Sequence, residues 1–187
     1  MTSRSKSPVL VLLGPTAVGK GTVVARLRAV RPQIHVSVSV TTRLPRPGEV
    51  AGVHYLFVDD PTFDELQASD GLLEWAVVHG RYRYGTPRQP VLDALAAGRP
   101  TILEIDLQGA RQVRRSLPEA TQIFLLPPSW AELEDRLRGR GTEDEAQMAR
   151  RLATARVELA AADEFDHVLT NVEVEQTVQE LVSLLGL

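Results

Sequence analysis

The chain has 187 residues, 43% of them apolar and 24% charged, the balance of a globular chain and the length of one domain with a sizeable core. Lys and Arg total 21 against 24 Asp and Glu, and this net charge of -3 speaks against a dedicated nucleic-acid binder. With no cysteine there is no disulfide framework, thiolate metal site or cysteine nucleophile, and His35, His54, His79 and His167 show no ligand spacing.

In chain order, Val9 to Leu13 comes first, an unbroken apolar run suited to a strand buried on both faces. It is far too short to span a membrane, and Gly14-Pro15 after it is not a signal-peptide cleavage site, so a cytoplasmic enzyme or binding domain is expected. Gly14 to Thr22 then opens a helix. His35 to Val40 alternates strictly, predicting one strand with a wetter face. Thr41 to Gly52 is broken into a loop by Pro45, Pro47, Gly48 and Gly52. Aromatic residues cluster from His54 to Tyr84, which suggests a small strand-rich insertion, and Asp60-Pro61 opens a helix within it.

Thr86-Pro87-Arg88-Gln89 reads as a helix start with Thr86 as N-cap, and Gly98 ends that helix. Thr101 to Ile105, Gln122 to Leu126 and His167 to Leu169 read as further buried strands. Ser129 and Thr142 each begin a capping box, and Glu173 to Leu185 is a final helix packed on the sheet. Between the capping boxes, Gly139 and Gly141 lie among arginines, as in a mobile flap. Strands alternating with helices make the expected fold α/β, with a mainly parallel sheet flanked by helices.

The strongest chemical signal is Gly14-Pro15-Thr16-Ala17-Val18-Gly19-Lys20-Gly21-Thr22, which joins a buried strand to a helix. Glycines let backbone N–H groups converge on an anion, the helix N-terminus adds positive potential, and Lys20 can reach the terminal phosphates of a nucleotide. Gly21 stands where a magnesium-binding hydroxyl is common. That leaves Thr22 to serve a phosphate, and no direct metal ligand is assigned. Such a loop fits kinases, ATPases and GTPases alike.

Further residues narrow the choice. Arg43 and Arg46 sit in the proline-stiffened loop and suit a phosphate dianion, although two surface charges would look the same. Glu74 interrupts an apolar strand, and a buried carboxylate needs a partner, either a structural arginine or a ligand with paired donors. Guanine offers N1–H beside its exocyclic amine, whereas adenine has no such pair. Ser39 and Thr86 add hydroxyls, and Tyr55 and Tyr84 add phenols. Asp106, at the end of an apolar strand, is either a site residue or a helix N-cap.

Taken together, Gly14 to Lys20, Ser37 to Gly48, Gly52 to Tyr55, Leu73 to Ala76, Glu104 to Ala110 and Gly139 to Glu143 resemble the guanylate kinase family in its own order. The resemblance implies a P-loop kinase moving phosphate from ATP to GMP with Mg2+. It also implies a core (7–37, 88–136 and 152–187), a GMP-binding insertion (38–87) and a mobile lid (137–151). By the same resemblance Ser39, Glu74 and Thr86 hold guanine, while Arg43, Arg46, Tyr55 and Tyr84 hold the GMP phosphate. Tyr82 is a rival to Tyr84, because Gly80 to Thr86 is one residue longer than the family's segment. Asp106 lies near the phosphates and magnesium, with Glu104 beside the nucleotide pocket. Arg136, Arg140 and Arg151 surround the transferring group, and Asn171 lies near the adenine. Two rivals remain at this point: a kinase of the same build acting on a sugar phosphate, and a binding module without catalysis.

Overall fold

The computed structural model describes residues 8–78, 81–139 and 145–187. Five parallel strands form the main sheet in the order β2-β7-β1-β8-β9: β1 (Val9–Leu13), β2 (His35–Val36), β7 (Thr101–Glu104), β8 (Thr121–Leu126) and β9 (His167–Thr170). The apolar run at β1 has its predicted bounds and lies at the centre of that sheet, with every residue buried. A strand in that position needs apolar side chains on both faces, and β1 supplies them alternately. Leu10 and Leu12 face one core with Leu27, Leu133 and Leu181; Val9, Val11 and Leu13 face another with Val91, Val113 and Phe124.

The first core is closed by α1 (Lys20–Val30), α5 (Trp130–Arg138), α6 (Glu145–Ala160) and α7 (Val174–Leu185). The second is closed mainly by α3 (Arg88–Ala96) and α4 (Leu107–Ser116). Ser129 caps α5 as its sequence predicts, its hydroxyl accepting from the Glu132 N–H at 3.1 Å. The capping box at Thr142 lies outside the described residues.

A second sheet carries the aromatic cluster, in the order β4-β3-β6-β5: β3 (Val40–Thr41), β4 (Leu56–Phe57), β5 (Leu72–Val78) and β6 (Tyr82–Pro87). Helix α2 (Asp60–Ala68) packs Phe63 against Val40 and Leu72 beneath it, and Asp59 caps it by accepting from the Thr62 N–H.

Two expectations fail here. The alternating run His35 to Val40 is not one strand: His35–Val36 pairs with β7 of the main sheet, while Val40–Thr41 pairs with β4 and β6 of the second. Ser37 to Ser39 is the passage between the two sheets, so its alternation reflects no continuous face. Thr86 is not a helix cap either. It ends β6 opposite Glu74 and donates its hydroxyl to that carboxylate, while Pro87 takes the cap position of α3.

Candidate functional site

The phosphate loop follows β1 at the carboxyl edge of the parallel sheet, where open α/β sheets present their ligands. Its backbone requires the glycines. Gly14 and Gly19 have φ of 142° and 103°, and a Cβ at Gly19 would stand 2.6 Å from the Asn171 amide nitrogen. Ala17 also adopts the left-handed region, with φ 67°, although it carries a Cβ. Such strain of ~1–2 kcal/mol is retained where the surrounding structure fixes a functional conformation. Gly21 is different: a Cβ there meets only the Glu104 carboxylate, at an ordinary 3.9 Å.

Lys20, at the start of α1, is folded back on its own loop. Its ammonium donates to the carbonyls of Gly14 at 2.6 Å and Pro15 at 3.2 Å. Those bonds hold the cation inside the loop, within reach of an incoming anion. Glu104 sits nearby at the end of β7; burial raises its pKa, and the Lys20 charge partly offsets that rise.

A cavity of about 170 Å³ opens between the two sheets. Lys20, Ser39, Tyr55, Glu74, Tyr84, Glu104 and Asp106 line it, so seven of the sequence-predicted residues meet in one place. Glu74 is 5% exposed and has found a hydroxyl, not an arginine: Thr86 donates to its Oε1 at 2.6 Å. Burial first, and then the charge of Asp106, raise the Glu74 pKa to about 7, against the lowering effect of the Thr86 bond. Thr86 therefore stands behind the carboxylate and away from the cavity wall. Asp106 lines the cavity, and its Oδ1 caps α4 by accepting from the Gly109 N–H at 2.8 Å.

Arg43 is 7% exposed, which removes the surface-charge alternative for it. Its Nε donates to the Tyr84 hydroxyl at 3.0 Å, and its two terminal nitrogens form a fork on Glu49 at 2.9 and 2.8 Å. Tyr84, not Tyr82, thus joins the arginine; Tyr82 lies under Arg81 with 5.0 Å from guanidinium to ring centre. Tyr55 packs edge-on against Tyr84 and beneath Arg43. Arg46 is exposed, and its backbone N–H donates to Glu49 at 2.7 Å.

On the far side of the phosphate loop, a cavity of about 330 Å³ is lined by Ala17, Gly19, Thr22, Arg136, Asn171 and Val174. Arg136 reaches the Val18 carbonyl at 3.4 Å and pairs with Glu132 at 2.9 Å. Asn171 is buried: its amide donates to the Val18 carbonyl at 2.9 Å and its oxygen accepts from Thr177. It fastens the loop to β9 and α7 while lining the cavity. Arg151 is half-buried on α6, whereas Arg140 lies outside the described residues.

Two carboxylates escaped the sequence reading. Glu49 occupies the forked face of Arg43, and that hydrogen bond, followed by the Arg46 N–H, lowers its pKa to about 2. Glu158 on α6 points at the phosphate loop. Its Oε2 is buried without a partner, and burial followed by Asp106 raises its pKa to about 7 against the opposing pull of Lys20 and the Thr16 N–H. A helix-face pattern could not reveal it, because the preceding Val157 is the exposed residue. The acid spacing in the loop, Arg43 to Glu49, was the one readable hint for the other.

Among the described residues, no three acidic or histidine side chains converge as a ready metal site. Glu104 and Asp106 beside Lys20 offer hard oxygen ligands of the kind that meet a magnesium ion already held by phosphates.

This arrangement has relatives. The Guanylate kinase family model matches residues 6–186. A guanylate kinase of Leifsonia xyli is 60% identical over 97% of this chain and 72% of its own length, and one of Thermobifida fusca is 59% identical over 94% and 89%. The crystal structure of guanylate kinase from Anaplasma phagocytophilum superposes with a TM-score of 0.77 at 32% identity, covering 95% of this chain and 84% of that one. On a family match over nearly its whole length and relatives of about 60% identity, the chain belongs to the guanylate kinase family.

Proposed function

We propose that the chain transfers the γ-phosphoryl group of ATP to GMP, giving ADP and GDP. The observation that carries the reading is that Lys20 of the phosphate loop and the buried Glu74 line one cavity. A phosphate-holding cation and a carboxylate suited to guanine therefore face the same space, as a transfer between two nucleotides requires.

ATP lies with its phosphates on the loop, Gly14 to Thr22, and Lys20 exchanges the Gly14 and Pro15 carbonyls for phosphate oxygens. Its adenosine end takes the cavity of Arg136 and Asn171. GMP lies in the smaller cavity, where ionised Glu74 accepts from guanine N1–H and the exocyclic amine, with Ser39 beside it and Thr86 holding Oε1. Arg43 trades Glu49 for the GMP phosphate, joined by Tyr55, Tyr84 and Arg46. The fork that Arg43 makes on Glu49 is the geometry it would offer a phosphate.

A GMP phosphate oxygen then attacks the γ-phosphorus in line, and the bond to the bridging oxygen of ADP breaks. Arg136, Arg140 and Arg151 balance the charge that develops there, as the 137–151 segment closes over the core and the 38–87 insertion. Glu104 and Asp106 would hold a Mg2+ ion bound with ATP, which would neutralise charge on the phosphates. The reaction draws on cytoplasmic nucleotides and implies a cytoplasmic enzyme; no helix among the described residues is long and apolar enough to cross a membrane.

Calorimetry of Glu74→Ala tests the pairing of the two sites. GMP affinity is expected to fall by roughly 100-fold, the cost of a charged hydrogen-bond pair, with ATP affinity within about twofold. Equal losses for both nucleotides would make Glu74 a structural residue.

A further inference from the structure

Glu74 lies on β5, an edge strand, and edge strands hold their residues less firmly than central ones. Here the edge is fastened from outside by α4. The pairing of β5 with β6 slips between Leu72 and Glu74, and the Leu73 carbonyl at that slip accepts from the Ser116 hydroxyl at 2.7 Å. On the other side of Glu74, the Gln112 side chain takes both backbone groups of Trp75. Its oxygen accepts from the N–H at 3.1 Å, and its amide donates to the carbonyl at 2.6 Å. The backbone is therefore clamped immediately before and immediately after the carboxylate.

The same helix also shapes the space for the side chain. A Cβ at Gly109 would stand 2.5 Å from Glu74 Oε2 and 3.0 Å from its carboxyl carbon. Gly109 sits in the first turns of α4 with ordinary helical backbone, so nothing in its dihedral angles requires glycine. Alanine would make the better helix there. The position is kept open because the carboxylate fills it.

We propose that one face of α4, formed by Gly109, Gln112 and Ser116, positions the Glu74 carboxylate and so sets the enzyme's preference for an acceptor base with a 2-amino group. At spacings of three and four residues these side chains share one helix face, and all three meet β5 around Glu74. They are positioning residues, since none lines the cavity itself. The inference rests on Glu74 being the group that reads guanine. In that role, a displacement of a few tenths of an ångström at Oε2 weakens one of the two bonds to the base and leaves the ATP site unchanged.

The test compares GMP with IMP, whose base keeps N1–H but lacks the exocyclic amine, in steady-state kinetics with thermal melts alongside. Gly109→Ala is expected to lower kcat/KM for GMP by roughly tenfold and for IMP by much less, with KM for ATP within about twofold and Tm unchanged or raised. Gln112→Ala shifts the GMP:IMP ratio in the same direction by roughly threefold. Wild-type GMP:IMP ratios in both variants would overturn the inference, as would equal losses for both acceptors with a lowered Tm, which would mark α4 as a support only. Glu74→Ala separates the two claims. If it collapses the ratio while the α4 variants do not, the positioning role alone falls; if it leaves the ratio at the wild-type value, the guanine reading and the positioning role fall together.

Discussion

At the scale of single residues, the phosphate loop was legible because its requirements are local: glycines where φ is positive, and a lysine at a helix start. Glu74 was legible as a carboxylate in an apolar run, but its partner was not. Thr86 looks like a helix cap from its neighbours in sequence, and only the cross-strand pairing shows that its hydroxyl belongs to Glu74. That buried carboxylate carries a prediction. Its resting pKa of about 7 lies far above the ordinary carboxylate range because burial disfavours the charge, while guanine's two donors need the ionised form. The KM for GMP is therefore expected to rise as pH falls below about 7, approaching tenfold per unit, with KM for ATP flat across the same window. A GMP profile without a break between pH 5.5 and 7.5 would show that the acid does not gate acceptor binding.

Elements follow the same rule of local against distant causes. β1 was read with its exact bounds because a strand buried on both faces has a signature of its own. The run His35 to Val40 carries an equally clean alternation, yet it is divided between two sheets, since period two is satisfied by any extended chain. What α7 and β9 contribute is likewise invisible in the sequence. Asn171 and Thr177 form a short relay that pins the Val18 carbonyl at the end of the phosphate loop. Removing the amide takes the shorter of two hydrogen bonds from the Val18 carbonyl, which keeps Arg136 at 3.4 Å, and leaves the Thr177 hydroxyl to the Glu173 carbonyl at 3.2 Å. Asn171→Ala is therefore expected to cost about 1 kcal/mol of stability and to weaken ATP more than GMP. Chemical denaturation and nucleotide titration check the two halves, and an unchanged midpoint with unchanged ATP affinity would contradict the relay.

For the whole molecule, the arrangement is one of cations held by the protein's own oxygens. Lys20 is held by loop carbonyls, Arg43 by Glu49, and Glu158 leans toward the loop with a carboxylate oxygen unpartnered. Three acids whose pKa burial raises, Glu74, Glu104 and Glu158, set the sign of the pH dependence. Between about pH 4.5 and 7 the native state keeps protons on Glu74 and Glu158 that the unfolded chain has already released, so stability falls as pH rises through that window. For Glu74 the full effect is about 3 kcal/mol. Glu49 acts in the opposite sense, in the acid range below its ordinary pKa. The nucleotide-free protein is expected to melt at a lower temperature at pH 7.5 than at pH 5, with Glu74→Gln flattening the slope. A melting temperature that climbs over this range would contradict the burial of uncompensated acids.

Cavity, loop and family membership converge on one reaction, and a direct assay of acceptor choice tests it most plainly. ADP formation from Mg-ATP would be followed with GMP, AMP, CMP, UMP and ribose 1,5-bisphosphate offered separately to the purified chain. Strong turnover with GMP and, on the chemistry of Glu74, little with any other acceptor is the predicted result. Turnover confined to the sugar phosphate, or none from protein that still binds GMP, would contradict it.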